Sequence, residues 1–537
     1  MNHDKSILHR HRLDLSLCAI AIATAIPATA DVRLPNIFTD NMMLQRDQPV
    51  RVWGWADAGE AVSVDLSGKS AAAKADDKGR WAIALPALKT GENLELTVKG
   101  NNSLTLKNVI IGDIWVCSGQ SNMELALNDC LGAADDIKAA NLPKIRRIKI
   151  GHVQEALPQM DVPLDAPWQV CAPETAGKFT SVGFYFAREI LTKTGVPIGL
   201  VDANWGATRI EKWIPAEGLE LVDELKPQVI ARQEAMKAYR AQLPKALSEV
   251  EAWIAKTRSE LADNAAIPPM PVIPPHPDTP VNPYGEGWCT MYNAMIHPVV
   301  HLPIKGALWY QGESNGNEGA TYYDKMRGLI GGWRKQWGQG DFPFYFVQLA
   351  PFQDVLENPA GGNDWTQLRE AQRKSLTLPN TGMAVTIDTV PLAERENVHP
   401  RNKYDVGLRL ALWALNRDYG LTKLEVSGPL FKALRIEGNK ALLAFDHTGS
   451  GLMVGKKDGR SPALEDKQGK LRRFALAGAD KTWHWAEAVI ENNTVVVSSP
   501  EVKEPVAVRY AYQKNPDGAN LYNREGLPAC PFRTDDW

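Results

Sequence analysis

Alternation of apolar and polar positions dominates the first hundred residues. QPVRVWGWA, AVSVDL, GRWAIALP and LELTVKG, all between positions 48 and 100, alternate or are rich in β-branched and aromatic residues. Asp76-Asp77-Lys78-Gly79 supplies a turn signal among them. Residues 31–107 therefore read as a small all-β unit. From Val109 the period changes. VIIGDIWVCSG, GVPIGLVDANWG, IKGALWYQGES, FPFYFVQLAPF and GMAVTIDT are apolar runs of strand length. Helical patterns such as SVGFYFAREILTKT and YYDKMRGLIGGWRKQW separate several of them. Strands alternating with helices predict a parallel sheet covered by helices on both faces.

Residues 215–285 interrupt that alternation. A long stretch of helical period ends near Asp263, and IPPMPVIPPHPDTPVNPYG follows. The proline-rich part must be extended and cannot be a central strand. The segment reads as an insertion of helices and a surface strap, either bordering the functional site or decorating the scaffold. Beyond Glu425 strands return in ALRIEGNKALLAFDH, TVVVSS and VAVRYAY, so residues 426–537 read as a β domain, most simply a sandwich. The catalytic-type α/β segment is thus 108–425.

The amino terminus has a different pattern. Lys5, Arg10 and Arg12 precede LSLCAIAIATAIP, which is too short to span a bilayer, and Ala28-Thr29-Ala30 is a small-residue cleavage site. Residues 1–30 read as a secretory signal peptide, so the mature protein is expected to be periplasmic or secreted. Cys18 does not make a lipoprotein signal, because most of the apolar run follows it. Five cysteines remain: Cys117, Cys130, Cys171, Cys289 and Cys530. That number is odd, so at least one thiol is expected to stay unpaired within the chain.

Net charge is −3, from 60 Lys+Arg against 63 Asp+Glu, which leaves no electrostatic footprint for nucleic acid. Beyond the signal segment no apolar run is long enough for a membrane span. No cysteine–histidine cluster has zinc spacing, and Pro298 separates His297 from His301, so no metal site is expected. The 17 tryptophans suit either a β-rich core or flat faces for sugar rings.

Candidate chemistry collects where strands end. Gly119-Gln120-Ser121-Asn122-Met123 places a serine between an apolar strand and a helical pattern. There Ser121 can serve as a nucleophile with backbone N–H groups nearby, or simply as a helix cap. Asn204-Trp205-Gly206-Ala207-Thr208 and Trp309-Tyr310-Gln311-Gly312-Glu313-Ser314-Asn315 also follow strands. Their glycines and amides can approach or donate to a substrate oxygen. Glu396-Asn397-Val398-His399-Pro400 precedes a helical pattern starting near Asn402, and His399 can act as the base for Ser121. The serine is not in a GxSxG elbow.

GQSNMELAL, NWGATRIEKW, KGALWYQGESN and NVHPRNKYDVGLRLAL together resemble the sialate O-acetylesterase type of carbohydrate esterase, within the SGNH hydrolase superfamily. The resemblance runs over nearly the whole mature chain, including the ending LYNREGLPACPFRTD. It implies an SGNH-like α/β sheet with flanking β domains. It also implies an acetylesterase that needs no cofactor and acts on an acetylated oligosaccharide or polysaccharide; the expected periplasmic or secreted address and the added β domains favour hemicellulose fragments such as xylan or xyloglucan over sialic acid. By resemblance Ser121 is the nucleophile and His399 the base. The oxyanion hole combines the Ser121 and Gly206 N–H groups with an amide from the third block, Gln311 or its rival Asn315. Two departures stand out: Ala207 replaces a second glycine, and Glu396 occupies the position of the usual aspartate. Glu396 is the expected acid by spacing, with Asp388 and Glu313 as competitors; Glu313 reads better as a brace of its own loop. Two other classes remain: a non-catalytic sugar-binding protein on an esterase scaffold, and another serine esterase such as a lipase or thioesterase. The presence of both Ser121 and His399 argues against the first, and the polar loops around Ser121 argue against a long acyl tunnel.

Overall fold

The computed structural model describes residues 31–262, 266–280, 282–285 and 287–537; the expected signal segment 1–30 lies outside them. A parallel sheet forms its centre. Its strands run in the order Thr381–Ala384, Phe344–Val347, Gly306–Tyr310, Ser103–Gly119, Ile198–Asn204 and Leu142–Ile150, and Leu164–Cys171 adds an antiparallel edge. The central strands are apolar throughout because both faces are covered. Ile114, Val116, Ala307, Trp309, Phe344 and Phe346 join one core. Trp115, Cys117, Leu308, Tyr310, Tyr345 and Val347 alternate with them into a second core, shared with the helices Ser181–Thr194 and Lys403–Arg417. The helix Tyr322–Trp337 sends Met326, Leu329, Ile330 and Trp333 into the first. This is the α/β architecture that the strand–helix alternation implies.

The strand Ser103–Gly119 runs through position 107, where the composition changes. Its first part pairs with Gly91–Lys99 and, in parallel, with Met43–Gln45 of the amino-terminal β unit. Its last seven residues enter the central sheet between Ile198–Asn204 and Gly306–Tyr310. One continuous backbone thus belongs to both units. On the carboxyl side, three antiparallel arrays are built around Lys440–Asp446, Leu452–Lys456 and Phe474–Ala477. Buried Arg369 ties this β region to the central unit by donating to the carbonyls of Leu349 and Ala350 on one side and Gln513 and Lys514 on the other, at 2.6–2.9 Å.

Within the insertion, Lys226–Ala262 is a single 37-residue helix that accommodates Pro244 and buries only Ala246. The extended segment returns along it. Arg232 pairs with Asp278 at 2.8 Å, and the Trp253 indole donates to the Pro268 carbonyl at 2.8 Å. The five cysteines named above are all buried thiols without a disulfide partner. Among the described residues, no helix is long and apolar enough to cross a membrane, and no group of three His, Cys, Asp or Glu side chains is placed to hold a metal ion.

Candidate active site

Three neighbouring strands end at one level and carry the polar blocks with them. Gly119 closes its strand at φ +134°, and a Cβ there would stand 2.1 Å from the Tyr310 carbonyl, so only glycine fits. Gln120 is extended and donates its N–H to that same carbonyl at 3.0 Å. Trp205 N–H donates to Gly119 O at 3.1 Å. Ser121 then opens a helix of only four residues, Ser121–Glu124, where the sequence offers a helical pattern after the apolar strand.

His399 arrives from the far edge of the sheet, on the loop between Thr381–Ala384 and Lys403–Arg417. Its Nε2 lies 2.8 Å from Ser121 Oγ, across 278 positions of sequence. Three bonds shape the loop around it. The His399 N–H donates to Asn397 Oδ1 at 2.9 Å, the Val398 carbonyl accepts from Asn122 Nδ2 at 2.9 Å, and the Pro400 carbonyl accepts from Lys403 Nζ at 2.6 Å. Partial burial, and next the charge of Lys403, hold the imidazole pKa below its ordinary value. A neutral ring can accept the serine proton, which makes the pair competent for base-assisted attack by the hydroxyl.

Behind Ser121 lies a buried polar network that sequence reasoning missed. Asn122 is fully buried; besides the Val398 carbonyl it touches Glu313 Oε1 at 2.5 Å and accepts from Lys403 Nζ at 2.6 Å. Lys403 is also fully buried, and burial brings its pKa down to about 8. Burial pushes the Glu313 carboxyl the other way, up, and its Oε2 is buried without a partner. The signal was present in Ser121-Asn122 and in the His-Pro-x-x-Lys spacing. Nothing in the pattern says that Lys403, on the buried face of its helix, turns towards the nucleophile's neighbour.

The remaining sequence expectations meet different geometry. The Glu396 side chain is two-thirds exposed, with its nearest cation, Arg395 Nε, 3.7 Å away; no hydrogen bond joins it to His399. Three residues of spacing did not fold its carboxylate back, because the loop's bonds are made by Asn397, Val398 and Pro400 instead. Asp388 is buried in a bidentate pair with Arg409 at 2.6 and 2.8 Å, and it also accepts from Tyr522. Gln311 is buried with its Nε2 facing Gln120 Oε1, Thr208 O and Asn315 Oδ1 at 2.7–3.1 Å, and its Oε1 accepts from Tyr322. It braces the three blocks against one another, so its amide is not open to a substrate oxygen. Asn315, its rival, is equally engaged: it accepts from the Ile210 N–H and donates to Glu211. The Gly206 N–H points to Glu124 Oε2 at 2.7 Å. Ala207 holds φ +58°, a left-handed conformation that glycine adopts more easily.

A cleft of about 500 Å³ opens next to the His399 loop. Arg401, Asn402 and Asp388 on the central unit face Lys456, Lys470, Asn515 and Tyr522 on the carboxyl-terminal β region.

The family model for carbohydrate esterases described as sialic acid-specific acetylesterase matches residues 111–246 and 278–415. The chain is 27% identical to the sialate O-acetylesterase of Rattus norvegicus, over 92% of this chain and 93% of that protein. It is 26% identical to the Homo sapiens protein of the same name, over 93% and 92%. Among solved structures, a carbohydrate acetylesterase from Xanthomonas citri superposes with a TM-score of 0.77 at 36% identity, covering 94% of this chain and all of the other.

Proposed function

The chain belongs to the sialic acid-specific acetylesterase family of carbohydrate esterases, and we propose that it releases acetate from acetylated glycans with Ser121 as nucleophile and His399 as general base. That it is a carbohydrate acetylesterase follows from the family; the residue roles and the glycan are our reading. The observation that carries the roles is the 2.8 Å contact between Ser121 Oγ and His399 Nε2.

Ser121 Oγ attacks the acetyl carbonyl carbon and its proton passes to His399 Nε2. The oxyanion takes the Ser121 N–H, and it competes with Glu124 for the Gly206 N–H. His399 then gives the proton to the departing sugar oxygen, which leaves acetyl-Ser121 and a free sugar hydroxyl. Water attacks the acetyl group while His399 takes its proton. Collapse returns that proton to Ser121 Oγ and releases acetate. Among the described residues no carboxylate meets His399 Nδ1, so the ring is oriented by the bonded loop rather than by a third acid.

For the substrate we favour fragments of xylan or xyloglucan, with O-acetylated sialic acid as the alternative. The polar cleft beside the His399 loop suits an extended glycan. The pattern of residues 1–30 supports a periplasmic or secreted location. The test is acetate release from acetylated xylan, acetylated xyloglucan and O-acetylated sialic acid, with the Ser121→Ala variant in parallel. Wild-type release should fall by about 10³-fold or more in that variant. A variant that keeps roughly a tenth of the rate removes Ser121 from the role.

A further inference from the structure

A cluster whose aromatic rings take no part in the acyl-transfer steps adjoins Ser121. A Cβ placed on Gly206 would stand 3.3 Å from Ser121 Cβ and 3.1 Å from Glu124 Oε2. Nucleophile and carboxylate therefore border the same patch of backbone. Glu124 Oε1 lies 2.9 Å from His152 Nε2, and the carboxylate is about 30% exposed. The His152 ring lies flat on Trp205, with centres 4.5 Å apart and planes 4° from parallel. His152 is exposed and Trp205, half-buried, packs against the core beneath it, so the stack presents its His152 side at the surface.

Attack requires the ester carbon to come within about 3 Å of Ser121 Oγ. The ring that carries the ester must then lie against the surface next to the serine. Aromatic planes there suit the C–H face of a pyranose, and an ionised carboxylate beside them is a charge-assisted acceptor for a ring hydroxyl. Burial opposes ionisation of Glu124, but the His152 hydrogen bond and the Lys149 charge outweigh it and keep the carboxyl below its ordinary pKa. From this geometry, and resting on the acetylesterase reading above, we propose that Trp205, His152 and Glu124 form the subsite for the ester-bearing sugar. The ring rests on the His152–Trp205 stack, and a hydroxyl next to the acetyl group donates to Glu124. A sugar carboxylate has no proton to donate to Glu124, so the subsite favours neutral rings over acidic ones.

The test compares kcat/KM on acetylated xylo-oligosaccharides, on O-acetylated sialic acid and on 4-nitrophenyl acetate, for wild type, His152→Ala, Trp205→Leu and Glu124→Gln. His152→Ala and Trp205→Leu should lower the ratio of the xylo-oligosaccharide value to the aryl acetate value by about tenfold or more, mostly through KM. Glu124→Gln should lower the same ratio and narrow the preference for neutral over acidic sugar. His152 and Glu124 are exposed enough that their variants should fold even if Trp205→Leu does not. Ratios within about twofold of wild type in both variants would overturn the subsite while leaving the acetylesterase reading intact. A wild-type enzyme that cleaves the aryl acetate but no acetylated sugar would overturn both.

Discussion

Lys403→Met separates two effects of one buried ammonium group. Lys403 Nζ donates at 2.6 Å to Asn122 Oδ1 and at 2.6 Å to the Pro400 carbonyl, with no exposure to water. Burial lowers its pKa from 10.5 to about 8. At 1.36 kcal/mol per decade, holding the charge costs the fold about 3 kcal/mol at neutral pH. Methionine removes that cost but leaves two buried oxygens without donors, at about 1–3 kcal/mol each. The terms nearly cancel at pH 7, so the variant's unfolding free energy should stay within about 3 kcal/mol of wild type. They do not cancel at high pH. Between the folded and unfolded pKa values the unfolded chain binds the extra proton, so wild-type stability gains with pH over about 8 to 10.5 and the variant lacks that gain. The wild-type advantage should grow by about 2–3 kcal/mol from pH 7 to pH 10, read by urea unfolding followed through tryptophan fluorescence. Activity gives an independent readout. Loss of the Pro400 anchor loosens the His399 loop, so kcat should fall about tenfold or more. Removing the neighbouring charge should raise the His399 pKa and move the acid limb of the kcat/KM profile to higher pH. A stability difference equal at pH 7 and pH 10 would refute the picture of a desolvated ammonium. An unmoved acid limb would refute its coupling to His399.

Glu396→Gln should stay within about twofold of wild-type turnover, because its exposed carboxylate does not reach His399; a loss nearing the ~10⁴-fold of a true triad acid would restore it to that role. Asp388→Asn breaks a buried bidentate pair with Arg409 and should cost about 3–5 kcal/mol of stability, read as a lowered urea midpoint. Gln311→Ala removes the brace between three blocks and should destabilise by about 2–4 kcal/mol. If Gln311→Ala instead lost only kcat, with an unchanged midpoint, Gln311 would be an oxyanion donor after all.

Much of the architecture was legible because burial on both faces forces central strands to be apolar runs, and helices between them carry the 3.6 period. VIIGDIWVCSG, IKGALWY and FPFYFV needed no partner to be read, and Gly119 and the blocks after each strand marked the edge where chemistry collects. The residue types allow Ser121 and His399 to pair and the family resemblance implies it, but 278 positions separate them and the sheet alone brings them together. Spacing misled where side-chain direction decides the outcome. Glu396 lies three residues from His399 yet faces solvent, while Lys403, four residues on, reaches the neighbour of the nucleophile. Gln311 has the residue type of an oxyanion donor, but its amide is consumed by Gln120, Thr208 and Asn315. The pairing of Glu124 with His152, and of His152 with Trp205, had no sequence signal at all, because Glu124 and His152 follow strands that flank Ile198–Asn204 in the sheet, and Trp205 at the end of that strand comes between them only in the fold. Local periodicity specifies elements and the ends that carry polar loops. Which polar groups find each other, and which remain open to a substrate, is settled by competition among donors and acceptors that only the folded chain brings within 3 Å.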